Sequence, residues 1–294
     1  MKLCRITARL RRWWRPLLLV PFLAGAGVGC VSSVDTTTVA AAGGAYAAAM
    51  NRLMLATGRV AVDASSERLL QEDTPAGQTL EAYRRVAAAD AHRLDLLERL
   101  RDHNRLIGRY FAMLGELTDA PEAAAIRERL RGIFQSLNET TAELRALPDF
   151  PLGATGPPPV AWASLPSGRP ADELRRDAPR LRLAFRTQEA LLGGLVATVR
   201  RDFEVIRQAQ EQRLVIEPLL SQDAARNPAP WTMARRELLL LAVTIRELEK
   251  ALVMAGRLTG ELDVLLEGAR GTGSLRRLEE DAARLTAACD GLAQ

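Results

Sequence analysis

The chain has 294 residues, with 48% hydrophobic and only 4% aromatic side chains, so its core must consist mainly of Leu, Ala, Val and Ile. The formal net charge of +4 comes from residues 1–29, because without their six basic side chains the rest of the chain holds 34 basic and 36 acidic ones. A nucleic-acid-binding domain needs a basic face on its folded part, so we expect no nucleic-acid partner. The length allows one large or two medium domains.

The chain begins with features of an export signal. Residues 1–15 carry six basic and no acidic side chains, and residues 16–29 (PLLLVPFLAGAGVG) carry no charge. A membrane-spanning helix needs about 20 apolar residues, more than this run supplies. A basic segment followed by a short apolar run and small residues is typical of a secretory signal peptide, so we expect residues 1–29 to be removed. The pair Arg11-Arg12 is compatible with a twin-arginine signal as well as with an ordinary Sec signal, so the export route stays open.

Two cleavage sites compete at the end of this signal. Ala24-Gly25-Ala26 has the A-x-A pattern, and cleavage there would release a soluble chain. Gly27-Val28-Gly29-Cys30 resembles the lipobox of bacterial lipoproteins, a class in which the cysteine is acylated and becomes the mature N-terminus. This resemblance implies a lipid on Cys30, a tether over residues 30–37 and a membrane as partner. The residue after Cys30 is not Asp, and in this respect the chain resembles lipoproteins that are sorted to the outer membrane and face the periplasm.

The pattern of the remaining chain predicts an all-α protein. Apolar residues recur at spacings of three and four almost throughout, which indicates amphipathic helices, and short turns between long helices make neighbours antiparallel. We predict one set of three helices within residues 38–147 and a second set within residues 171–294. The two sets form one or two coiled-coil-like bundles, and the sequence leaves that choice open.

The first set is predicted over about 36–72, 76–118 and 122–147, with start signals at Asp73-Thr74-Pro75 and Asp119–Glu122. The small residues of AAAGGAYAAA in the first helix favour close helix contact over fraying. Each helix carries an apolar stripe that we expect to be buried: Tyr46, Met50, Leu53, Thr57 and Val60; then Leu94, Leu97, Leu100, Ile107, Phe111 and Leu114; then Ile126, Leu130, Ile133, Leu137, Leu144 and Leu147.

Residues 148–170 (PDFPLGATGPPPVAWASLPSGRP) cannot form a helix, because proline removes backbone donors and fixes φ. The segment is either a linker or a loop wrapped on the bundle. Phe150, Trp162 and Leu165 interrupt its polarity. They either cover an end of the bundle, which we favour because exposed Trp is uncommon, or anchor a protein partner.

The second set is predicted over about 171–217, from 228 to 266, and from 275 onward, with Pro218 kinking or ending the first of these helices. Apolar stripes again follow helical spacing: Leu192, Val196, Val199, Phe203 and Ile206; then Leu238, Leu241, Ile245, Leu248, Leu252, Ala255, Thr259, Leu262 and Leu266; then Leu275, Leu278, Ala282, Leu285, Cys289 and Leu292. Cys289 lies on such a stripe, so we expect a small core residue and not a reactive thiol.

Few residues suggest chemistry. His92 and His103 are the only histidines, and eleven helical residues separate them by about 16 Å, too far for one metal ion. No Glu-x-x-His pair, nucleophile motif or phosphate loop is present, so we predict no enzyme, no cofactor and no metal site. Asp102–Arg105 (DHNR) is expected to be an exposed polar face. A buried layer that fixes helix register, or a ligand-sensing spot, is the alternative.

These observations predict a lipid-anchored, periplasm-facing lipoprotein that acts as a helical scaffold or adaptor for a protein partner. The first alternative is a ligand-binding or sensory bundle, in which Thr259, His103 and Asn104 would line a cavity between helices. An enzyme of unknown class is a weaker third alternative. A filament-like coiled coil is disfavoured because turns interrupt the apolar seams.

Overall fold

The computed structural model describes residues 36–71, 79–117, 122–148, 150, 170–266 and 272–292, which form an all-α bundle. In chain order the main helices are α1 (Thr36–Gln71), α2 (Leu80–Glu116), α3 (Ala123–Arg145), α4 (Pro170–Gln210), α7 (Pro228–Leu266) and α8 (Thr272–Gly291). The predicted helices are therefore confirmed, within a few residues at their ends. Within these ranges no helix is long and apolar enough to span a membrane.

The chain between α4 and α7 is irregular but still helical. A π-helical segment (Glu211–Ile216) continues α4, and two short helices follow, α5 (Glu217–Leu220) and α6 (Asp223–Arg226). The π-helical segment, whose turns are wider than those of an α-helix, ends two residues before Pro218. Pro218 has no N–H to donate, and its ring crowds the preceding turn. The helix stops soon after this proline, and Gln222 adopts a left-handed conformation with φ 62°.

The two predicted sets of helices share one hydrophobic core. Residues Ser33–Gln294 form one compact unit, in which α1 packs against α2 of its own half and against α4, α7 and α8 of the other. A helix that is apolar on all sides is expected inside a bundle. Most of the α1 surface is accordingly buried, and one exposed stripe that includes Leu55, Arg59 and Val62 remains. The buried residues include Val39, Ala42, Tyr46, Ala49, Met50, Leu53, Met54, Ala56, Val60 and Ala64. The question of one bundle or two, which the sequence left open, is answered by the central position of α1.

α1 and α2 approach closely along a line of small residues. Gly115 faces the Cβ of Ala40, and a Cβ added at Gly108 would lie 3.3 Å from the Cβ of Ala47. Gly43 lies directly under the ring of Phe111. Residue numbers rise in α1 as they fall in α2, so the helices are antiparallel. The expectation that the small residues of α1 allow close helix contact is confirmed.

Aromatic side chains fill the middle of the core. Tyr46 of α1 meets Phe185 of α4 edge to ring face, with centroids 4.9 Å apart. Phe111 stacks on Phe185, and Tyr110 contacts Phe134 of α3. Such pairs add about 0.5–1.5 kcal/mol beyond their buried area. Five of the few aromatic residues of the chain therefore join four helices at one level of the bundle.

Burial corrects the sequence-based stripes at a few positions. Leu94 is 44% exposed, and Ile133 is only partly buried because Phe134 takes the core position beside it. Cys289 is fully buried, and burial raises the pKa of its thiol to about 11, as expected for a core residue. Thr79, whose side chain accepts the Ala82 N–H at 3.1 Å, caps α2, whereas the predicted cap at Asp73–Pro75 lies outside the described residues.

Candidate functional site

A groove of about 530 Å³ runs between α1 and α2. Its floor is apolar, with Met54 and Leu97 almost fully buried. Leu55, Val62 and Leu94 line it and are each between 37% and 44% exposed. Ligand and partner sites are usually concave, with an apolar lining and a few polar groups at the edge. This groove is the candidate functional site.

Gly58 explains why the groove lies at this level of the helices. Its position on α1 is buried, and a Cβ there would meet Leu97 at 3.3 Å and Leu94 at 3.4 Å. A larger residue would push Leu94 outward and fill the depression. Farther along, Ser65 of α1 donates to Asp90 of α2 at 2.6 Å, so the two helices close again beyond the groove.

Charged side chains of both signs surround the apolar floor. Arg59 and Asp63 stand on the α1 side, and Glu98 and Arg101 stand on the α2 side. The Nε of Arg101 donates to Asn51 Oδ1 at 3.0 Å, which fixes its side chain across the end of the groove. A balanced rim of this kind suits a partner that itself carries both charges around an apolar stripe.

A layer of buried polar residues crosses the bundle near the groove. His103 and Asn104 of α2 are 0% and 2% exposed, whereas their neighbours Asp102 and Arg105 are exposed. The Nδ2 of Asn104 donates to the carbonyl of Ala47 at 2.6 Å. The expectation that residues 102–105 form an exposed face is therefore wrong for its two central residues, because α2 is covered on that side by α1, α3 and α4.

The hydrogen bonds of this layer define the state of His103. The Thr141 hydroxyl donates to the carbonyl of Leu137 at 2.6 Å, so its oxygen must accept from His103 Nε2–H at 2.9 Å. Gln188 of α4 donates to Asn104 Oδ1 at 3.0 Å. Burial lowers the pKa of His103 to about 4. His103 is therefore neutral and structural at neutral pH.

A second buried polar cluster joins α2 to the start of α4. Tyr110 donates to Asp177 Oδ2 at 3.1 Å, and Arg176 donates to Asp177 Oδ1 at 3.0 Å and pairs with Glu173. Burial raises the pKa of Asp177, and the hydrogen bond and charge of Arg176 oppose the shift. Because each carboxylate has a partner, the cluster fixes helix register and leaves no group directed at a substrate.

A third cluster joins α4 to α7. Thr259 donates to Glu189, beside the buried hydroxyl of Tyr46, and burial raises the pKa of Glu189. One turn along, Asp263 accepts from Arg182 Nε at 3.1 Å. Thr259, His103 and Asn104, where the alternative of a ligand-binding bundle placed its cavity, are thus hydrogen-bonded to other protein groups. Among the described residues no cluster of His, Cys, Asp or Glu could hold a metal ion.

The predicted site residues are only partly within the described ranges. Phe150 packs against the core, with the guanidinium of Arg145 5.1 Å from its ring centroid, which favours the covering interpretation for this residue. Cys30, Trp162 and Leu165 lie outside the described residues. The sequence analysis missed the groove, although Leu55 and Val62, seven residues apart and off the predicted stripe of α1, were a signal for it.

The comparisons with known proteins give no family. The chain matches no family model, no curated protein and no solved structure. Its function must therefore be argued from its own residues.

Proposed function

We propose that the protein is a lipid-anchored, periplasm-facing helical scaffold that binds a partner protein and has no catalytic role. The α1–α2 groove is the observation that carries the binding part of this proposal. The resemblance of Gly27–Cys30 to a lipobox supports the anchor. Several acyl chains hold a protein stably at a membrane, whereas a single chain holds it only marginally.

The shape of the groove favours a helix as the bound element. An amphipathic helix places apolar side chains at i, i+3, i+4 and i+7 into an apolar groove between two helices. Leu55 and Val62 are themselves one heptad apart, and Leu94 closes the opposite wall. The rim residues Arg59 and Glu98 provide charges of opposite sign for the flanks of such a helix.

Intact-mass measurement of the mature N-terminal fragment tests the anchor. We expect a fragment that begins at Cys30 and carries the added mass of acyl groups, and a Cys30→Ala variant that is not acylated. An unmodified chain beginning at Gly27 would contradict the lipoprotein assignment and would make the protein soluble in the periplasm.

Site-specific photo-crosslinking tests the groove. With the photoreactive residue at Val62 or Leu94 in native cell envelopes, we expect one shared crosslinked protein, identified by mass spectrometry. A photoreactive residue at Glu128, an exposed position of α3, should not give it. Leu94→Glu at the groove should weaken binding of the purified partner at least about tenfold, because it places a charge in the apolar contact.

Val253→Glu is the matched control, since it changes an exposed apolar side chain of α7 that does not line the groove. The proposal fails if the Leu94 and Val253 variants bind the partner equally well, or if crosslinks from Glu128 reproduce those from Val62. Circular dichroism of each variant checks that the helices remain intact.

A further inference from the structure

Among the described residues, the helical hairpin formed by α4 and α7 continues past the end of α1. At Gln210 of α4, whose side chain contacts Glu67, the hairpin is level with the last turns of α1. The next ten residues add about 15 Å at the rise of an α-helix. We define residues 211–244 as the arm. The π-helical segment, α5 and α6 within it pack mainly against α4, α7 and one another.

The arm is the main concentration of exposed apolar side chains. Ala224 is its only buried residue. Seven of the fifteen large apolar side chains that are exposed in the described residues belong to it: Ile216, Leu219, Leu220, Met233, Leu239, Leu240 and Val243. A concentration of exposed large apolar side chains is a common mark of an interaction site.

The run Leu238–Val243 (LLLLAV) places apolar side chains both toward the core and toward solvent. Leu238 and Leu241 are partly buried and pack against the core, whereas Leu239, Leu240 and Val243 are 42–52% exposed. At 100° per residue, these three exposed side chains fall within about 100° of the α7 surface. A helix that is apolar on two sides is typical of the interior of a bundle, and here only one side is covered.

The charge of the arm argues against a lipid surface as the occupant. The arm holds four acidic and four basic residues, so it has no net attraction to an anionic lipid surface. We propose that two arms associate through α7 about a two-fold axis and form a four-helix bundle. In a two-fold interface, residue i contacts residue j and j contacts i.

The sequence of α7 fits an antiparallel pairing centred between Leu241 and Ala242. In that register Leu240 meets Val243 of the second copy, and each Arg236 meets a Glu247. Arg236, Leu240, Val243 and Glu247 follow one another at spacings of three and four, which places them on one face of α7. Both contacts occur twice, so the apolar centre has an ion pair on each side.

Sedimentation equilibrium of the compact unit Ser33–Gln294 tests the proposal. We expect a reversible dimer, with Leu240→Glu monomeric because it places two like charges in the apolar centre. Leu94→Glu, which changes an exposed leucine in the groove, should remain dimeric. Arg236→Glu should weaken the dimer, and the double variant Arg236→Glu/Glu247→Arg should restore it.

A wild-type chain that stays monomeric over the whole concentration range would overturn the proposal, as would equal dimerisation of Leu240→Glu and Leu94→Glu. Failure of the double charge exchange to restore the dimer would also overturn it. Monomers that co-sediment with anionic phospholipid vesicles would instead assign the arm to a lipid surface. None of these outcomes depends on the groove partner or on the anchor, so this proposal and the proposed function can fail separately.

Discussion

Replacing Gly43 with Ala should lower the free energy of unfolding by about 2 kcal/mol, within the usual cost of overpacking a core. A Cβ at this position would come closer than 3.0 Å to three ring atoms of Phe111. Phe111 is 1% exposed and stacks on Phe185, so its ring has no free direction in which to move. The new methyl group must therefore push α1 and α2 apart.

Gly44→Ala is the matched control, because the next residue of the same helix has nothing within 4 Å of its added Cβ. Alanine is favoured over glycine inside a helix by about 1 kcal/mol, so this variant should be more stable than the wild type. Urea denaturation followed by circular dichroism measures both. Equal stability of the two variants would show that the close packing of Phe111 on Gly43 does not constrain the core.

Acidification should destabilise the protein through His103. Its pKa is about 4 in the folded chain, against 6.5 for an unperturbed histidine, so the unfolded chain binds more protons between these values. Stability is therefore complete above about pH 6.5 and is lost as the pH falls toward 4. The contribution lost between about pH 7.5 and pH 5 is about 2 kcal/mol.

The measurement is the free energy of unfolding across this range for wild type and His103→Gln. The raised pKa values of Asp177 and Glu189 act in the opposite direction, since these groups bind protons more readily in the folded chain. The contribution of Asp177 and Glu189 is common to both proteins, so it cancels when the free energy of unfolding of His103→Gln is subtracted from that of the wild type. If the free energy of unfolding of His103→Gln changes with pH as steeply as that of the wild type, His103 is not the source of the loss of stability in acid.

The helices could be predicted from the sequence because their signal is local. Spacing of three and four between apolar residues, together with proline and glycine near the ends, defines each helix without knowledge of its neighbours. The stripe of α4 from Leu192 to Ile206 is buried as predicted, as is the seam of α8 from Leu278 to Cys289. Neither prediction required a tertiary contact.

The packing partners could not be predicted because they depend on residues far apart in the chain. The polar residues His103 and Asn104 suggested an exposed face, and they are buried only because Thr141 and Gln188 supply their hydrogen bonds. The groove likewise depends on Gly58 lying opposite Leu94, a contact between helices. A single helical stripe also did not reveal that α1 packs against helices of both halves of the chain.

The central position of α1 has a consequence for the order of folding. Arg52 of α1 pairs with Asp290 near the end of α8, a contact that spans 238 residues. Contacts so distant in sequence form late and slow the folding of a chain. A chain emerges from the ribosome N-terminus first, so α1 and α2 can pair early while the opposite side of α1 stays uncovered. α8 therefore covers a side of α1 that α2 leaves open. A chain that lacks α8 would expose apolar residues of α1 and would be prone to aggregation.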